Sequence, residues 1–85
     1  MRIVVHRRAA RYLRRLPAQE KDRLVTALRE LAEDPLKQPG VKAMLGRWSG
    51  YHRLRVGGTR VLFKMVAEED VVYVDHVGPR GDIYK

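Results

Sequence analysis

An α+β fold is predicted for this chain: a strand, an αα-hairpin, then a three-stranded antiparallel meander, with the helices packed on one face of a small sheet. Three observations predict it. The stretch GYHRLRVGGTRVLFKM, residues 50–65, alternates about a Gly-Gly pair; residues 7–33 carry apolar side chains at helical spacing; and β-rich runs stand at both ends, Ile3-Val4-Val5 and VVYVDHV at 71–77. A helical pair followed by a meander gives two layers, leaving the second sheet face open.

Taken in order, Arg2 to His6 reads as a short strand, and apolar residues on both parities predict an interior position in the sheet. From Arg7 the period changes. Ala9, Tyr12, Leu13 and Leu16 recur at helical spacing, with Arg7, Arg8, Arg11, Arg14 and Arg15 around the rest of the cylinder. Pro17 fits only the first turn of a helix, so Leu16-Pro17 marks a break, with Pro17 opening a second helix. Glu20 and Asp22 suit its positive N-terminal dipole, Leu24, Leu28 and Leu31 form its buried stripe, and Asp34-Pro35 stops it. Leu36 to Arg47 holds prolines, a glycine and scattered lysines and reads as a loop. Trp48, just before the hairpin, reads as a core or rim anchor.

The hairpin sorts its own residues. With Gly57-Gly58 as a type I′ turn, Val56 faces Thr59, Arg55 faces Arg60, Leu54 faces Val61, Arg53 faces Leu62, His52 faces Phe63 and Tyr51 faces Lys64. Alternation gathers Leu54, Val56, Val61, Phe63 and Met65 on a core face, and Tyr51, Arg53, Arg55, Arg60 and Lys64 on the other. The basic face has two readings. One is the solvated side of a half-buried sheet; the other is a binding surface for an anion. Opposed like charges such as Arg55 and Arg60 are destabilising, and no acidic residue occurs between Arg47 and Val66, which favours the second. After an acidic turn at Ala67 to Asp70, the third run of the meander follows, and Gly78-Pro79 is expected to turn the chain out of the sheet.

Composition narrows the partners. The 85 residues read as one domain, 1–85, with a net charge of +8, which points to nucleic acid, an anionic membrane or an acidic protein. No apolar run approaches the ~20 residues of a spanning helix and the N-terminus lacks a signal-peptide core, so a cytoplasmic protein with no membrane role is expected. The chain has no cysteine, which excludes disulfides, thiolate zinc sites and thiol catalysis. His6, His52 and His76 show no short metal spacing and no carboxylate cluster would hold magnesium, so neither metal nor another cofactor is expected.

The residues that would carry chemistry are the hairpin arginines, Arg80 and Tyr84. Arginine offers a permanently charged planar fork suited to phosphate, but at neutral pH it cannot act as a base. Metal-free phosphodiester cleavage by a 2′-hydroxyl needs a proton acceptor, cations for the added charge and a donor to the leaving oxygen. Tyr84, His52 and His76 can exchange protons; the alternative for Tyr84 is a plain terminal residue or a plug on the core edge. His52 falls on the core side of the hairpin, and His76 is expected there too, sharing a face with Val72 and Val74.

These segments together, the initial strand, the helices ending in Leu16-Pro17 and Asp34-Pro35, YHRLRVGGTRVLFK and HVGPRGDIYK, resemble the RelE/ParE superfamily of toxins from type II toxin–antitoxin systems. Similarity to the RelE branch implies a ribosome-dependent endoribonuclease that cuts messenger RNA by 2′-hydroxyl attack without metal, and a cognate antitoxin that wraps the toxin in a hetero-oligomer. Carried over by position, the resemblance assigns Arg53, Arg55, Arg60, Arg80 and Tyr84 to catalysis, and RNA contact falls to Arg53, Arg55, Lys64 and Tyr51. Arg53 and Arg55 stand where the RelE pattern has lysines, which moves the proton-transfer role toward Tyr84, with His52 as a second candidate. Tyr51 or Tyr73 would stack on a base, the alternative being that at least one of them belongs to the core. The ParE branch, similar in fold, implies inhibition of DNA gyrase instead, and a non-catalytic nucleic-acid-binding module is a third reading.

Overall fold

The structure, a computed structural model, describes residues 1–79. The described chain forms β1 (Arg2–Val5), α1 (Arg7–Arg15), α2 (Ala18–Glu33), β2 (Val41–Ala43), β3 (His52–Val56), β4 (Thr59–Val66) and β5 (Val71–Pro79). Single 3₁₀ turns lie at Gly46–Trp48 and Ala67–Glu69. The sheet order is β1-β5-β4-β3-β2, antiparallel except for the parallel pair β1 and β5. The expected α+β class therefore holds, with both helices on one sheet face.

Local sequence accounts for the helical layer. His6 caps α1, its Nδ1 accepting from the Arg8 N–H at 3.1 Å, so one of the otherwise orphaned donors at the helix start is satisfied. Pro17 stands at the N-cap of α2 rather than inside it, and its carbonyl accepts from the Lys21 N–H at 2.9 Å. Leu24, Leu28 and Leu31 are buried, as their spacing requires, and meet Ala9 of α1 and Leu54, Val61, Phe63, Val72, Val74 and Val77 of the sheet. Phe63, with no exposed surface, is the largest side chain in that core. Full burial of a side chain of its kind contributes about 1.5–3 kcal/mol.

Five further features differ from the sequence reading. First, Val41–Ala43 is a strand, not loop, paired with His52 to Leu54 of β3. Three residues are too short for periodicity to register, and what holds them is packing: the Gly40 carbonyl accepts from the Arg55 N–H at 3.2 Å, and any Cβ on Gly40 would meet the Arg55 oxygen at 2.7 Å. Second, β1 is an edge strand rather than an interior one. Val4 is exposed while Ile3 and Val5 pack on the core, so the apolar run marks burial on one face only. Third, the hairpin register is as expected from Val56↔Thr59 to His52↔Phe63, but Gly57 alone takes a positive φ, +59°, the type II′ pattern rather than I′. Fourth, Gly78 and Pro79 continue β5, opposite Arg60 and Thr59, instead of turning the chain away. Fifth, β5 carries a bulge: Leu62 pairs with His76 while Phe63 pairs with Val74, leaving Asp75 as the extra residue.

Candidate nucleic-acid interface

The bulge decides which residues share the open face. Beyond it the parity of β5 is reversed, so Val77 turns to the core and His76 comes up on the side away from the helices, opposite Leu62. The expectation that His76 shares the face of Val72 and Val74 is thereby corrected. Read across the strands, one row of the open face is Lys42, Arg53, Leu62 and His76; a second pairs Arg55 with Arg60; a third pairs Lys64 with Tyr73. Lys42 escapes sequence reasoning, because the three residues of β2 show no strand periodicity. That reasoning also leaves Leu62 unassigned. This leucine is fully buried on the open side and forms an apolar floor between Arg53 and His76.

The basic residues differ in their surroundings. Arg55 and Lys64 are exposed, whereas Arg53 and Arg60 are half-buried. The Arg53 Nε is buried and has no hydrogen-bond partner among the described residues. A buried guanidinium nitrogen of this kind is costly unless a partner is supplied. Arg55 and Arg60 face each other as the sequence predicts. Beside them a shallow groove is lined by Pro39, Gly40, Val41, Lys42, Arg53 and Arg55.

Next to the basic rows stands an aromatic cluster. Trp48 meets Tyr51 edge-on at 5.6 Å and His76 edge-on at 5.8 Å, which makes it a rim anchor. The Tyr51 hydroxyl donates to Asp75 Oδ2 at 2.7 Å, and Lys64 Nζ lies 5.8 Å from the Tyr51 ring centre. The hydrogen bond to Asp75, more than burial or its charge, holds the Tyr51 phenol above its ordinary pKa of 10.0. Tyr73 is held neutral in the same way, through a hydroxyl bond to Glu69. His76 goes the other way: burial first, then the Arg8 guanidinium and His6, push its imidazole below 6.5, and Asp75 opposes them.

His52 remains on the core side, as read, stacked on Phe63 at 5.6 Å. Its Nδ1 is buried without a hydrogen-bond partner among the described residues. The structure thus brings Arg53, Arg55, Arg60, Lys64 and Tyr51 to one side of the sheet. The expected site residues Arg80 and Tyr84 lie outside the described residues. Among the described residues no cluster of three metal-ligating side chains occurs, and no helix is long and apolar enough to cross a membrane.

Known proteins place this arrangement in a family. The toxin of the RelBE2 toxin–antitoxin complex from Mycobacterium tuberculosis is 25% identical, with 93% of this chain and 96% of that one covered at a TM-score of 0.81. The archaeal RelE–RelB complex from Pyrococcus horikoshii gives 23% identity, coverage of 95% and 96%, and a TM-score of 0.82. A YoeB/ParE toxin from Agrobacterium tumefaciens has the same fold at 15% identity, coverage of 94% and 99%, and a TM-score of 0.80. No curated protein matches. The family model described as ParE toxin of the type II toxin–antitoxin system, parDE, matches residues 3–84. The chain belongs to this ParE toxin family, within the RelE/ParE superfamily of type II toxin–antitoxin toxins.

Proposed function

We propose that this toxin is an endoribonuclease that cuts messenger RNA on the ribosome, in the cytoplasm, by attack of a 2′-hydroxyl on the adjacent phosphate and without a metal ion. One observation carries the reading: Lys42, Arg53, Arg55, Arg60 and Lys64 come from three adjacent strands onto one open sheet face. Such a face binds a phosphate backbone through charge, and its guanidinium groups stabilise the extra negative charge of a pentacoordinate phosphate. Arg53 and Arg60, half-buried, hold the reacting phosphate; Arg55 and Lys64 track the flanking strand. Arg80 and Tyr84 complete the site by resemblance. Tyr51, with its hydroxyl committed to Asp75, contributes its ring rather than a proton.

The partner is a cognate antitoxin, in keeping with the toxin–antitoxin complexes among the structural relatives. An acidic segment that folds on contact suits a surface of charge +8. A second reading is favoured by the family match itself, which is to ParE: inhibition of DNA gyrase with no RNA cleavage. Primer extension on messenger RNA after brief induction separates the two. Discrete new 5′ ends inside coding regions, absent with Arg53→Ala plus Arg60→Ala, are the expected result. Growth arrest with DNA-damage signalling and no cuts would overturn the nuclease in favour of gyrase.

A further inference from the structure

The bulge in β5 calls for a physical reason. Strict alternation through Val72 and Val74 would bury His76 in the core and expose Val77; one extra residue at Asp75 reverses both. A bulge interrupts the ladder, and such interruptions recur beside active sites because they re-aim a side chain. Here the re-aimed group is an imidazole. It lies in the row Lys42, Arg53, Leu62, His76, two strands from Arg53 with the buried Leu62 between them. Two strand spacings are about 10 Å, so Arg53 and His76 stand about that far apart in the row, on either side of Leu62.

The ring is also held. Trp48 meets it at an interplanar angle of 87°, and Trp48 rests on Tyr51, whose hydroxyl is bound to Asp75, the bulge residue itself. The bulge and the group it re-aims are thus fixed by one cluster. We propose that His76 is the proton acceptor for RNA cleavage on this face, an assignment that rests on the nuclease reading above. The 2′-O–H proton passes to the imidazole as the P–O2′ bond forms. The P–O5′ bond breaks, and the 5′-oxygen leaves with the bonding pair and takes a proton from water. The products are a 2′,3′-cyclic phosphate and a 5′-hydroxyl, and the imidazolium returns its proton to solvent.

The groups facing His76 suit the role. Arg8 and His6, on α1 and its cap, and Asp75, on β5, act on it through their charge; Arg53 and Lys42 lie along the row. Burial and the cations outweigh Asp75 and keep the ring neutral, in its proton-accepting form, near pH 7.

The test is single-turnover cleavage of messenger RNA on programmed ribosomes by wild type, His76→Gln and His76→Ala across a pH series, with binding measured in parallel. Wild type is expected to lose rate on the acid side below about pH 6.5. His76→Gln should lose that acid limb and about 10²–10⁴-fold in rate with binding unchanged, and added imidazole should restore cleavage to His76→Ala, which a misfolded variant would not show. If wild type cuts but has no acid limb, or His76→Gln retains both rate and limb, the assignment to His76 fails while the nuclease stands. If wild type cuts nothing, both fail.

Discussion

Replacing Gly40 by alanine tests the packing that creates β2 and so places Lys42 beside Arg53. The Gly40 φ is not in the left-handed region, so backbone conformation offers alanine no obstacle. The obstacle is contact: a Cβ would lie 2.7 Å from the Arg55 oxygen and 3.4 Å from Leu54 Cδ1. Relief to an ordinary 3.4 Å requires a shift of about 0.7 Å (3.4 − 2.7), and the Arg55 N–H bond to the Gly40 oxygen, now 3.2 Å, would stretch past bonding range. Overpacking costs about 1–3 kcal/mol and the lost bond about 0.5–1.5 kcal/mol. The stiffer unfolded chain returns about 0.4–1 kcal/mol, leaving a net loss of roughly 0.5–4 kcal/mol. At about 4–8 °C per kcal/mol for a domain of this size, Tm falls by roughly 2 °C or more. Thermal denaturation followed by circular dichroism measures it. An unchanged Tm would refute the reasoning and return residues 41–43 to loop.

Gly57 and Gly58 should respond unequally: Gly57→Ala, forced to a φ of +59°, loses about 1–2 kcal/mol in urea denaturation, while Gly58→Ala is neutral or slightly stabilising, and equal losses would restore the type I′ turn. Leu62→Ala removes the fully buried floor of the basic face and should cost about 2–5 kcal/mol in the same assay, where a loss near zero would show that Leu62 is not enclosed. Affinity for single-stranded RNA should fall with log salt at a slope near −3.5, about −0.7 for each of five engaged cations, and Arg53→Ala or Lys42→Ala should each flatten it by about 0.7; a slope near zero would remove the face as a phosphate surface. Because the folded His76 titrates below 6.5, the unfolded chain takes the proton first as pH falls. The stability tied to neutral His76 is therefore present above about pH 6.5 and lost as pH drops through the folded value, so Tm should decline on that side and decline less in His76→Gln.

Much of this was legible because it is local. A two-residue turn and strict alternation set the whole β3–β4 register, so the placement of Arg53, Arg55, Arg60 and Lys64 followed from six residues on each side of Gly57-Gly58. Helix boundaries followed from Pro17 and from Asp34-Pro35. What was not legible depends on distant partners. Whether Ile3-Val4-Val5 sits at an edge depends on which strand reaches it, and that strand is β5, at the far end of the described chain. β2 exists because Gly40 fits under the Arg55 carbonyl, a contact with no sequence periodicity. The bulge did leave a trace: Val72, Val74 and Val77 change parity between 74 and 77, the mark of one inserted residue. Read that way, His76 would have been placed on the basic face from the sequence.

The parallel pairing of β1 with β5 also sets a schedule. Arg2 to Val5 have no strand partner until Val71 to Val74, at the far end of the described chain, have been made. β4, already paired with β3, gains its second neighbour only then, since β5 is the strand that lies between it and β1. Pairings so far apart in the chain are slow to close and are satisfied late. A nascent or interrupted chain that stops before β5 holds the β2, β3 and β4 strands with nothing to join them to β1, and it lacks His76 and the bulge that turns it to the basic face. The interval between the synthesis of Arg2 and that of Val71 is one in which an antitoxin can be waiting.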